Sequence, residues 1–228
     1  MTAPHLRVRG SRDARAVALV LHGGQETSRA RTSSLRPAYL RMLPFARDLR
    51  RAGRAGGLAV WSLRNRYRGW NAPDLDPVAD ARWALGEVRR VHPDAPVVLV
   101  GHSMGGRVAL RVADDPAVSA VCALAPWTPE ADPVDQLAGR TVLIAHGDHD
   151  TMTEPALSYA YAVRAKAVTD AVCRFEVRDE AHAMLRRARE WHLLVRRFTL
   201  GVLGITDMDH VIASALAKPL PGGLGVPL

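Results

Sequence analysis

The sequence predicts an α/β fold: a mostly parallel, twisted sheet of about seven strands with helices on both faces. Three observations point to it. Short runs rich in valine, alanine and leucine recur along the chain. Most of the stretches between them carry helical spacing. The runs are also apolar at nearly every position, and strands of that kind need cover on both faces, as parallel sheets receive from crossover helices.

In order, the strands are read at residues 6–8, 16–21, 58–61, 97–100, 118–125, 141–145 and 172–177. The clearest helix follows Asp76, with Pro77 at a first helical position and Val78, Ala81, Leu85 and Val88 recurring on one face. Further helices are expected to begin near Met104, near Pro155 and just after His182, the last long and arginine-rich. No repeat, linker or shift in composition divides the chain. Residues 1–228 are therefore read as one domain, in which 203–228 form a C-terminal helix and an irregular tail crowded with Pro, Gly and Leu.

Composition narrows the function. At 228 residues, with 48% hydrophobic and 24% charged residues, the chain can build one sizeable core. The N-terminal stretch lacks the apolar segment of a secretory signal, and no run is long enough to cross a bilayer, so a cytoplasmic protein without a membrane partner is expected. Cys122 and Cys173 fall inside apolar strands, as reduced thiols do. The formal charge of +8 rests almost wholly on arginine, with Lys166 and Lys218 the only lysines. Nucleic acid is not expected as a partner, because no recognition module accompanies the charge.

Gly101-His102-Ser103-Met104-Gly105 fits G-x-S-x-G, between an apolar strand and a stretch with helical character. That setting has a physical purpose. A serine on a sharp turn projects its hydroxyl above the sheet edge, and small residues two positions either side let the backbones approach. The helix beginning there aims its first amides at the same spot, favouring a developing oxyanion. Ser103 is the candidate nucleophile, and the amide of Met104 one oxyanion donor.

With Gly106 the elbow reads Gly-His-Ser-Met-Gly-Gly, and the chain resembles the α/β-hydrolase family from about residue 16 to 200. The resemblance implies an acid and then a histidine downstream, at loops after later strands. His182, directly after the strand at 172–177, is similar to the family's last-strand histidine and is the expected base. The segment His146-Gly147-Asp148-His149-Asp150 resembles the family's His-Gly-Asp-x-Asp, which makes Asp150 the expected acid and Asp148 a turn residue. Thr153 and Glu154 stand where a small apolar residue and proline often follow. His22-Gly23-Gly24-Gln25 resembles the His-Gly-x loop, so that Gly24 supplies the second oxyanion amide, with Gln25 the alternative. No metal and no cofactor is expected, since the histidine and carboxylates of the 146–150 cluster have roles without one.

Only residues 126–140 separate two strands where many family members insert a cap, so no sizeable cap is expected and the site should be open. Its walls would be residues 25–36, 63–74 and 127–135, bringing Gln25, Trp70 and Trp127 to the substrate. Arg29, Arg31, Arg64, Arg66 and Arg68 are either solvated loop arginines beside packing tryptophans or a basic rim favouring an anionic group. The function expected is hydrolysis of a small carboxylic ester through an acyl-enzyme, with acyl thioester hydrolysis the nearest alternative and a non-catalytic binding protein on the same scaffold the alternative of another class. The sequence carries no signal on oligomeric state.

Overall fold

The structure, a computed structural model, describes residues 3–11 and 13–228. Its elements run β1 (His5–Arg9), β2 (Ala16–Leu21), α1 (Pro37–Gly53), β3 (Leu58–Arg64), α2 (Asp76–Val91), β4 (Val97–His102), α3 (Met104–Arg111), β5 (Val118–Leu124), β6 (Thr141–Gly147), α4 (Pro155–Lys166), β7 (Val172–Val177), α5 (Ala188–Val202), α6 (His210–Ala217) and β8 (Val226–Pro227). The strands form one sheet in the order β1-β3-β2-β4-β5-β6-β7-β8. β1 is antiparallel to β3, and every other pairing is parallel.

Both faces of the sheet are covered, which is why β2 is apolar at every position and β4, β5 and β6 nearly so. On β2, Val17, Leu19 and Leu21 point into one core shared with Val78, Ala81, Leu85 and Val88 of α2, Val108 of α3 and, further along the sheet, Tyr161 of α4. Ala16, Ala18 and Val20 point the other way, towards Met42, Phe45 and Leu49 of α1, Trp191 and Phe198 of α5 and Ile212 of α6. Cys122 and Cys173 lie in the second core as free buried thiols, and burial raises both above the ordinary range. No cap covers the sheet: residues between β5 and β6 make only a loop and one turn of 3₁₀ helix, Asp135–Leu137.

Three elements differ from the sequence reading. α1 was not singled out, although Met42, Phe45, Ala46, Leu49 and Gly53 repeat at helical spacing and Pro37 opens it; the interior Pro44 disguises the pattern. α5 begins at Ala188 and not directly after His182, because Met184 takes a left-handed backbone conformation (φ 55°) that interrupts any helix there. The tail is also more regular than its composition suggests. Leu224 is fully buried, β8 pairs with β7, and the amide of Leu228 donates to the Glu176 carbonyl at 2.8 Å. A buried Arg174 draws it in, donating to the Leu224 carbonyl at 3.2 Å.

The strand order reverses direction at β2, so β2 and β4 flank the point where loops diverge to opposite sides and leave a crevice beyond the carboxyl ends of the strands. The loops after β2, β4, β6 and β7 all open onto that edge. The Leu224 side chain is fully buried, so Leu224→Ala, which keeps the tail's backbone hydrogen bonds, should lower unfolding free energy by about 3 kcal/mol. Urea denaturation measures it, and a loss under about 1 kcal/mol would show that the tail is not held by this contact.

Candidate active site

Ser103 sits between β4 and α3 with φ 57° and ψ −121°, a conformation that costs a non-glycine residue roughly 1–3 kcal/mol. Neighbouring close packing holds it there. A methyl group on Gly101 would lie 2.2 Å from the Gly105 carbonyl oxygen, and one on Gly105 would lie 2.5 Å from that of Leu21. α3 thus crosses the ends of β4 and β2 at a distance only glycine permits, and Ser103 is lifted above the sheet as its first amides point outward. The Ser103 amide donates to the Leu124 carbonyl (3.0 Å), which ties the elbow to β5.

Asp150 follows β6 and is buried. Its Oδ1 accepts the amides of Met152 (2.8 Å) and Thr153 (3.0 Å); its Oδ2 lies 2.7 Å from His182 Nδ1, 2.9 Å from Thr153 Oγ1 and 3.2 Å from His146 Nε2. Burial alone would push this carboxyl up, but the hydrogen bonds from His146, His182 and Thr153 outweigh it and hold the group well below the usual carboxylate range. Asp148 is exposed and accepts the amide of Glu180 (3.3 Å), a bond to the loop after β7 and not within its own turn.

His182 stands in the loop between β7 and α5. Glu180, itself buried, shapes that loop by accepting the amides of Ala181 (2.9 Å) and Arg187 (2.8 Å). Arg41 of α1 donates to the Ala183 carbonyl, and His102 Nε2 donates to the carbonyl of His182 (2.9 Å). That last bond fixes the tautomer of His102, whose buried Nδ1 has no partner among the described residues. Burial, with the nearby His182, lowers the His102 imidazole to about 3.

The loop after β2 is held by His22. Its Nδ1 donates to the Gly23 carbonyl (2.6 Å) while Nε2 accepts the amide of Asn65 (3.2 Å), and burial lowers this imidazole to about 4. The Gln25 amide donates to the Arg68 carbonyl (2.8 Å), which removes Gln25 as an alternative oxyanion donor. Gly24 has no such partner among the described residues, and neither has Met104 at the first turn of α3.

A cleft of about 300 Å³ joins these parts, lined by Gly24, Gln25, Glu26, Ser103, Met104, Trp127, Met152, Thr153 and His182. Trp70 requires a correction: it is buried at 4% exposure and lies behind the cleft, not on it. It packs edge-on to Trp127, and the Arg107 guanidinium lies 3.9 Å from the Trp70 ring centre and 4.2 Å from that of Trp127. Arg107 is in turn gripped by both carboxylate oxygens of Asp132, each at 2.7 Å. The basic rim is a second correction. Arg29 pairs with Asp74, Arg66 with Asp80 and Asp76, Arg64 donates to the Thr32 carbonyl and Arg68 to that of Arg31, and none of these side chains lines the cleft.

His146, Thr153, Glu180, Arg107 and Asp132 were not assigned to the site from sequence. Two of them left a trace: His146 as the first residue of the His-Gly-Asp-x-Asp segment, and Thr153 as a residue out of place just after it. Among the described residues no group of three or more His, Cys, Asp or Glu gathers as a ligand set for a metal ion.

The alpha/beta hydrolase family model matches residues 18–226, and the chain belongs to that family. Its fold is similar to that of a putative alpha/beta hydrolase from Agrobacterium tumefaciens (TM-score 0.68, 18% identity, covering 89% of this chain and 92% of that one). It is also similar to a serine hydrolase from Xanthomonas campestris described as lacking a lid (TM-score 0.60, 21% identity, 85% and 86% covered). A third is the esterase Est1E from Butyrivibrio proteoclasticus, solved with ferulic acid (TM-score 0.65, 13% identity, 88% and 96% covered). A search of curated protein sequences finds no match.

The two buried imidazoles make stability depend on pH. Both titrate below the ordinary 6.5 in the folded chain, so on acidification the unfolded chain takes up their protons first. Their contribution is fully present above about pH 6.5 and is lost as pH falls towards about 4 for His22 and about 3 for His102. His102→Gln, which keeps a donor for the His182 carbonyl, should shrink the stability lost between about pH 6.5 and 4 by about 3 kcal/mol. Parallel stability curves for the two proteins in urea titrations across that range would contradict this.

Proposed function

We propose that the protein hydrolyses small carboxylic esters by an acyl-enzyme mechanism. The observation that carries the reading is the 2.7 Å contact between His182 Nδ1 and Asp150 Oδ2, with His182 and Ser103 lining one cleft. Membership of the hydrolase family supports the reaction class.

Ser103 Oγ attacks the acyl carbon as His182 Nε2 takes its proton, and the electron pair of the carbonyl moves onto oxygen. The amides of Gly24 and Met104 stabilise that oxyanion, Met104 with the added positive end of α3. His182 then returns the proton to the leaving alkoxide. Water attacks the acyl-enzyme by the same route, releasing acid and Ser103. Asp150 keeps the Nδ1 proton in place and stabilises the imidazolium, a role suited to a carboxylate held ionised by its own hydrogen bonds.

A cleft of about 300 Å³ suits a short acyl group. Trp127 forms one wall, and the Arg107 stack with the Asp132 grip leaves it little freedom to swing aside. Glu26 is on the lining and no lysine or arginine is, so a neutral ester is the preferred substrate over an anionic one. Such a substrate fits a cytoplasmic enzyme needing no cofactor. No helix among the described residues is long and apolar enough to cross a membrane.

Hydrolysis of p-nitrophenyl esters and acyl thioesters of increasing chain length tests the reading. Ser103→Ala and Asp150→Asn should each lower kcat by about 10³-fold or more. Activity that survives in Ser103→Ala rejects the mechanism, and faster turnover of thioesters moves the leaving group from alcohol to thiol. Trp127→Ala should raise kcat/KM for long-chain esters relative to acetate by about tenfold, the worth of one or two methylenes finding room. An unchanged ratio would show that Trp127 does not limit the acyl group.

A further inference from the structure

At the opposite end of the sheet from the cleft, arginines gather without carboxylates. Arg47, Arg50 and Arg51 of α1 and its C-cap Arg54, whose backbone is still helical, stand at positions i, i+3, i+4 and i+7, one stripe along the helix, and all four are exposed. Arg9, the last residue of β1, joins them. Together these five side chains line a depression of about 480 Å³, every lining residue of which is arginine. A second depression of about 360 Å³ adjoins it through Arg50 and Arg54 and adds Gly10, Ser11, Gly57 and Leu58.

The location follows from the topology. Gly53 at the end of α1 packs on Leu58 at the start of β3, and Arg9 pairs in register with Val60. Both mark the amino-terminal edge of the parallel strands, whereas Ser103, Asp150 and His182 follow the carboxyl ends of theirs.

Among the described residues none of the five forms an ion pair, in contrast to Arg66, Arg82, Arg89, Arg107 and Arg174 elsewhere on the molecule. The acidic residue of α1, Asp48, faces Arg196 of α5 instead (3.3 Å). The negative end of the α1 dipole lies beneath the cluster and offsets part of the mutual repulsion, but half an elementary charge does not neutralise five. Guanidinium groups are planar forks matched to phosphate oxygens, and several converging on one hollow suit an anion that presents several phosphates close together. From Arg47 to Arg54 the helix advances about 10 Å, a span of a few linked phosphates. The arginines surround a hollow instead of running in a track across the surface, which favours a small ligand over a polymer.

We propose that this hollow binds a small anion carrying two or more linked phosphates, either an inorganic chain or the phosphates of a nucleotide. The proposal stands apart from the ester-hydrolase reading, since no residue is shared with the cleft.

Isothermal titration of the full chain with inorganic tripolyphosphate at about 0.15 M salt tests it. A Kd of about 1–100 μM is expected for the unsubstituted protein. Arg50→Glu/Arg54→Glu should weaken binding at least tenfold, while Arg186→Glu/Arg189→Glu, with the same change in net charge at exposed positions elsewhere, should alter it less than threefold. Equal weakening in the two variants, or no binding at that salt, overturns the proposal. Titration with ADP and ATP separates the sources: tighter binding than tripolyphosphate assigns the site to a nucleotide, and equal binding assigns it to the phosphate chain itself. Binding to duplex DNA or phosphatidylserine vesicles with none to tripolyphosphate also overturns it.

Discussion

A single buried carboxylate ties the cleft to the fold. Asp150 cannot sit in the protein interior as an anion unless its oxygens are met, and they are met from several elements at once. Two backbone amides come from its own turn, a histidine from the end of β6, a hydroxyl from Thr153 and a histidine from the loop after β7. The Thr153 hydroxyl also lies 3.2 Å from the Ala125 carbonyl at the end of β5. Ser158 of α4 contacts the far side of His146 (2.8 Å), and Arg174 of β7 reaches Ser158 (3.2 Å) while it holds the carbonyl of Leu224. The carboxylate is therefore the inner end of a polar chain that crosses three strands, one helix and the tail. Removing one member leaves others buried without partners, which is a heavier cost than the loss of any single bond.

The second constraint is steric. The elbow works because α3 lies almost in contact with the ends of β2 and β4, and that closeness places three separate strands' loops around one hydroxyl. β2 delivers the loop of Gly24, β4 delivers Ser103, and β7 delivers His182. These loops are pinned by hydrogen bonds to their neighbours: His22 to Asn65, Gln25 to Arg68, His102 to His182.

Sequence legibility followed the range of the interactions involved. Strands buried on both faces announce themselves through unbroken apolar runs, and the glycines at 101 and 105 mark the elbow because no other residue fits. Ser103, Asp150 and His182 are candidates because local motif and chain order agree, and the structure brings the three side chains to one end of the sheet, with His182 and Asp150 in contact. Arg107 escaped notice because its partners come from two loops far from it in sequence, Trp70 from the one after β3 and Trp127 and Asp132 from the one after β5, and no spacing along the chain links them. Trp70 was placed on the cleft for the same reason: a loop tryptophan beside charged residues reads as exposed until an arginine from another element covers it. Of the rim arginines, Arg29 and Arg66 turn to carboxylates just before and within the first turns of α2, Asp74, Asp76 and Asp80, to which no spacing along the chain ties them. β8 is two residues long and lies beyond the reach of any periodicity.

The two margins of the sheet differ in length but share a property. On one side β1 leaves its outer backbone unpaired, yet carries Arg7 and Arg9, so a second copy brought alongside would set like charges against each other. On the other side β8 offers only Val226 and Pro227, and proline has no amide to give to a further strand. Neither margin is a good template for another chain. Growth of the sheet from molecule to molecule, the usual first step by which such a sheet would be lost to fibrous aggregates, is disfavoured at both ends by residues that contribute nothing to the cleft.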